Sequence, residues 1–70
     1  MTIDELRANF SHLINTYVED AATRVRLLEL VERNDDMPAK GILAELMLLL
    51  PSAIAADDAD IIKDIAFHFC

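Results

Sequence analysis

"MPAKGILAELMLLLPSAIAADDADIIKDIAF", residues 37–67, decides how this chain is read. The run "LMLLLPSAIA" within it is strongly apolar, yet the 70-residue chain carries 13 acidic against 6 basic side chains and a formal net charge of −7. Such a run belongs to a core, a membrane or a partner. Residues 42–55 contain only Glu45 as a charge, but a membrane-spanning helix needs about 20 apolar residues, and Pro51 interrupts this segment well before that length. A helix lying on a membrane surface wants Lys and Arg along its polar face, whereas the charges nearby are mostly acidic. The run is therefore expected to meet protein.

Breakers are scarce. Gly41 is the one glycine, and Pro38 and Pro51 are the two prolines, while Ala, Leu, Ile and acidic residues fill the space between. This composition predicts an all-α fold in a single small domain. Thr2 followed by Glu5 fits a capping box and opens a first helix, whose apolar stripe of Ile3, Leu6, Phe10, Leu13 and Tyr17 recurs at spacings of three and four. The stripe continues less regularly through Ala21, Val25, Leu28 and Val31. Two readings follow: one long helix over residues 3–32, which the lack of Pro or Gly favours, or a second helix started by Glu19 and Asp20, since aspartate is a good N-cap.

Asn34, Asp35 and Asp36 read as a polar turn in which either aspartate caps the next helix, with Pro38 pre-set for its first turn. That helix, residues 37–50, is apolar almost all round. Ile42, Leu46, Leu49 and Leu50 share one side, Leu43 and Met47 widen it, and Leu48 lies near the opposite face. Pro51 should end it, and Asp57 or Asp58 should cap a last helix with Ile61, Ile62, Ile65, Ala66 and Phe69 on one side. The expected architecture is a long N-terminal helix followed by an antiparallel helical hairpin over residues 37–69. A hairpin covers one side of its first helix only, and a chain this short buries only about 60% of the surface its unfolded form exposes. The chain is therefore expected to be dimeric, with Leu43, Leu46, Met47, Leu48 and Leu50, helped by Phe10, Leu13 and Tyr17, at the dimer or partner interface.

Chemical motifs point away from catalysis. "DDADIIKD", residues 57–64, lacks the central Gly and terminal Glu of a calcium loop. His12, His68 and Cys70 contain no close ligand pair, and each histidine reads as solvated or half-buried. Ser52 stands in "LPSA" rather than in the Asp-Ser-Leu signature of acyl carriers. No enzyme activity, cofactor or metal is expected. Cys70 cannot close an internal disulfide, and "MTIDELRANF" does not read as a secretion signal, so the sequence suggests a cytoplasmic protein. The scattered basic residues, outnumbered by acids, make nucleic acid a poor partner. Arg24, Arg26 and Arg33 are expected to make solvated contacts with Glu29, Asp20 and neighbouring acids. The acidic excess also fits a different class of protein, an inhibitor that occupies a nucleic-acid-binding or enzyme surface, as phage inhibitors and toxin-immunity proteins do.

Read without gaps, "LLELVERNDDMPAKGILAELMLLLPSAIAADDADIIKDIAF" resembles the core of the AriR/YmgB family of small bacterial regulators of biofilm formation and acid resistance, which act as two-component-system connectors. Leu27, Leu30 and Val31 would close its first helix, Lys40 and Ile42 open the second, Leu46 and Leu50 keep its four-residue spacing, and Asp60, Ile61, Ile62 and Lys63 match the last segment. The similarity covers a little over half of the chain; Pro51 departs from the family pattern, which continues there in polar residues. The resemblance implies a helical homodimer without enzymatic activity that alters signalling or stress responses by binding a protein partner, a sensor or a regulator.

Overall fold

The computed structural model describes residues 2–33 and 37–68. Four α-helices follow one another: α1 (Ile3–Tyr17), α2 (Ala21–Val31), α3 (Ala39–Leu49) and α4 (Ala56–His68). No strand occurs among the described residues, so the chain is all-α.

α1 starts as its sequence dictates. The Thr2 hydroxyl accepts the Glu5 amide at 3.1 Å, and Asp4 and Glu5 sit in the first turn, where the helix dipole favours negative charge. Its inner seam, Leu6, Phe10, Leu13 and Ile14, is buried, and Val18 follows it into the core. Every other helix rests against α1, and α2 also packs on α3.

The unbroken helix over residues 3–32 is not formed. Val18 turns the chain into extended backbone after its amide closes α1 on the Ile14 carbonyl, and Asp20 restarts it as the N-cap of α2. The Asp20 carboxylate accepts the Thr23 amide at 2.9 Å and the Thr23 hydroxyl at 2.7 Å. Packing explains why the break wins. A continuous helix would carry Leu27 and Val31 away from α1, whereas the reversal buries both against the α1 seam. Fully burying a Leu or Val side chain is worth about 1.5–3 kcal/mol, and caps recover the hydrogen bonds that the break costs. Arg7 of α1 then donates to the Arg33 carbonyl at 2.6 Å, fastening the far end of α2.

α3 is one or two residues shorter at each end than its apolar run. Pro38 stands immediately before the helix rather than inside its first turn and supplies no side-chain cap. The expected turn at Asn34 to Asp36 and its aspartate cap lie outside the described residues, as do Phe69 and Cys70. Pro51 falls in the link between α3 and α4, as a residue that breaks helices should. Asp57 and Asp58, expected as caps, lie instead within the first turn of α4.

Ile42 and Leu46 of α3 and Ile62 and Ile65 of α4 complete the core. The described chain measures 33 × 28 × 16 Å. A helix with its side chains is about 10–12 Å across, so a body this thin cannot enclose a helix on all sides. Leu46 has no exposed surface, while Leu48, two residues on, is 86% exposed. Leu46→Ala should lower the free energy of unfolding by about 2–5 kcal/mol, and Leu48→Ala, in dilute solution, by under about 0.5 kcal/mol. Urea titration of both variants checks this, and equal losses would contradict the placement.

Candidate functional site

The outer face of α3 is the part of the molecule whose chemistry differs most from the rest. Lys40, Gly41, Ala44, Met47 and Leu48 recur at spacings of three and four, and all are exposed. No carboxylate lies on this face. Glu45, beside it, is turned toward α2, where both its oxygens accept from the fork of the Arg26 guanidinium, Nη1 to Oε2 at 3.0 Å and Nη2 to Oε1. Arg26 therefore pairs across helices with α3 rather than with Glu29 or Asp20. Gly41 leaves the start of the face open, since a Cβ there would meet nothing within 4 Å. At the other end Met47 is 52% and Leu48 86% exposed.

This face runs into a groove. Met47, Leu50 and Pro51 form one side, Ser52 and Ile54 continue it along the link, and Ala59, Ile62 and Lys63 of α4 form the other, enclosing about 360 Å³ of open space. Ile62 is buried, and Leu50 and Ile54 are half-buried. The floor is thus apolar, and its charged rim group is Lys63.

The residues that the sequence assigned to an interface divide into three groups. Phe10, Leu13 and Leu46 have no exposed surface and belong to the chain's own core. Leu43, Leu50 and Tyr17 are half-buried and pack against that core. Met47 and Leu48 remain exposed on the outer face of α3; of the two, Met47 lines the groove together with Leu50, and Leu48 does not.

A polar cluster fixes the link that forms the groove's side. Asp58, buried in the first turn of α4, accepts from the Tyr17 hydroxyl at 2.5 Å and bonds His12 Nε2 at 2.7 Å, both on α1. The Tyr17 oxygen in turn accepts the Ala55 amide at 3.2 Å. One aspartate thus joins α4, α1 and the residue preceding α4. Donation from Tyr17 first, and from His12 second, holds the Asp58 carboxyl below the ordinary aspartate value of 3.8, and the Asp58 carboxylate holds the Tyr17 phenol above 10.0. The partners lie 46 and 41 residues apart in sequence. Periodicity carries no signal for such a pairing, and His12 reads as merely solvated until α4 is placed beside it.

A second exposed apolar point, Phe67 near the end of α4, shares a shallow hollow with Glu5, Asp64 and His68, a setting rich in charge. Among the described residues no group of three His, Cys, Asp or Glu side chains is placed to hold a metal ion, and no helix is long and apolar enough to cross a membrane. Compared with protein-family models, with curated proteins and with solved structures, the chain matches none.

A carboxyl whose folded value lies below its unfolded one contributes stability in full above the unfolded value and loses it as pH falls through the folded value. For Asp58 that window lies below 3.8. In Tyr17→Phe, which lacks the larger of the two stabilising donors, the Asp58 midpoint followed by carboxyl NMR should rise toward 3.8. An unchanged midpoint would contradict the assigned role of the hydroxyl.

Proposed function

We propose that this chain is a non-enzymatic regulatory module that acts by binding protein, and that the α3 face with its adjoining groove is its working surface. The observation that carries this reading is the exposure of Leu48 beside Met47 on a face free of carboxylates, in a chain of net charge −7. Exposed aliphatic side chains gathered at one place on a small protein mark an interaction site more often than isolated ones do. Two copies of an acidic chain repel one another wherever carboxylates face carboxylates, so an apolar helix face without them is a place where self-association costs little. In this proposal the chain is a homodimer paired through α3, with α3 and α4 as the two arms of its hairpin. It works in the cytoplasm, without cofactor, on a sensor or regulator protein. The resemblance over residues 27–67 adds the role, a connector in bacterial signalling, biofilm or stress control.

One observation favours a second reading. Asp57, Asp60 and Asp64 are exposed on α4 at spacings of three and four, an acidic strip that suits an inhibitor of a basic enzyme or nucleic-acid-binding surface. Salt separates the two. Exposed charges are screened over about 8 Å at physiological ionic strength, so binding through the acidic strip weakens as salt rises, and binding through the apolar face does not.

Sedimentation equilibrium at micromolar concentration, under reducing conditions so that Cys70 cannot bridge copies, should return twice the 7.8 kDa chain mass in both low and high salt. A monomeric mass at every concentration would refute the dimer, and a dimer seen only in low salt would transfer the function to the charges.

A further inference from the structure

We infer that the groove between α3 and α4 takes the apolar face of a short helix from a partner protein, one that carries a carboxylate beside its aliphatic side chains to meet Lys63. The inference rests on the groove being part of the working surface, and it specifies what enters there. α2 and α3 pack on each other as well as on α1, whereas α3 and α4 each rest on α1 without packing closely on one another. The space left between them is the groove. Its walls are the sides of two helices, with Met47 and Leu50 on one and Ala59 and Ile62 on the other, and its volume of about 360 Å³ is near the lower end of the roughly 300–1,000 Å³ of small-molecule pockets. It has room for side chains but not for a whole helix, which is about 10–12 Å across. An aliphatic stripe recurring every three or four residues supplies such side chains and leaves the polar outer face of its helix in water, over the open side of the groove. An extended peptide would need a sheet edge, and a proline-rich one aromatic walls; the described residues contain no strand, and the lining has no aromatic.

Charge decides which helix. Lys63 is the one charged residue of the lining, and among the described residues its ammonium makes no hydrogen bond or ion pair. Of its neighbours a turn away on α4, Ala59, Ala66 and Phe67 are uncharged, and Asp60 forms no ion pair with it. A carboxylate beside the partner's apolar stripe therefore finds an unpaired cation and no acid in the lining, since Asp57, Asp60 and Asp64 do not line the groove and Glu45 is held by Arg26. A lysine at that place would set two ammonium groups together at the edge of an apolar surface. The partner favoured at contact thus has the sign opposite to the one that a net charge of −7 attracts from afar.

Two synthetic helical peptides with the same leucine stripe, one flanked by Glu and the other by Lys, test this when titrated into the full chain at about 0.15 M salt, where charges more than about 8 Å apart are screened. The Glu peptide should bind more tightly, with amide shifts at Met47, Leu50, Ala59, Ile62 and Lys63. Lys63→Glu, at an exposed position and checked for unchanged far-UV circular dichroism, should reverse the preference and change the ratio of the two dissociation constants by about tenfold or more. Wild type that binds the Lys peptide as tightly, or a ratio that Lys63→Glu does not move, would overturn the acidic partner while leaving the groove as a protein site. Decanoate, an aliphatic chain with a carboxylate but no helix, should bind at least about tenfold more weakly than the Glu peptide; tighter binding would overturn the helix and give the groove to a fatty acid. Absence of shifts in the groove with either peptide at millimolar concentration would overturn the inference as a whole, whereas a wild-type dimer in sedimentation would still uphold the α3 face.

Discussion

Everything else in this chain leans on one seam of one short helix. Leu6, Phe10, Leu13 and Ile14 run down the inner side of α1, and α2, α3 and α4 all pack against that helix. With 70 residues there is no second layer to cover the outer helices. A small domain leaves a larger share of its apolar surface in water than a large one, and where that share falls is set by which element is central. Here α1 takes the centre, and the cost falls on α3, the most apolar of the four helices, whose outer face is exposed among the described residues.

The same geometry explains the polar contacts. The break at residues 18–20 lets α2 return along α1, and Arg7 and the Asp20 cap then fix its two ends. Arg26 and Glu45 tie α2 to α3, which removes a carboxylate from the edge of the apolar face. Asp58 ties α4 to α1 through Tyr17 and His12, and Tyr17 also takes the amide of Ala55. These contacts hold α3, the link and α4 in the relation that makes the groove edged by Met47 and Leu50. The exposed apolar face and its groove are thus a consequence of how α1 is surrounded.

Local features were readable from the sequence because they depend on residues three or four apart. The Thr2 cap, the Leu6, Phe10 and Leu13 part of the α1 stripe, the exclusion of Pro51 from helix and the all-α class all belong to this kind, whereas Ile3, expected in the stripe, is exposed and Ile14, outside it, is buried. The helix break was readable only as one of two options, because Asp20 can cap a helix but the decision rests on the burial of Leu27 and Val31 against residues far away in sequence. For the interface residues, apolar character alone does not distinguish the chain's own core from its exposed surface. Phe10, Leu13 and Leu46 serve the chain's own core, and only the packing around α1 shows that Met47 and Leu48 are left outside. The Asp58 cluster had no local signature, since a capping role within α4 explained that aspartate equally well.

The central claim is that the carboxylate-free face of α3 and its groove meet another chain. Amide chemical shifts recorded while the protein is concentrated from the micromolar to the millimolar range test it residue by residue. Concentration-dependent changes confined to residues 40–54 and to Ala59, Ile62 and Lys63 are the predicted result. Changes centred instead on Asp57, Asp60 and Asp64, or spectra that do not alter with concentration, would contradict it.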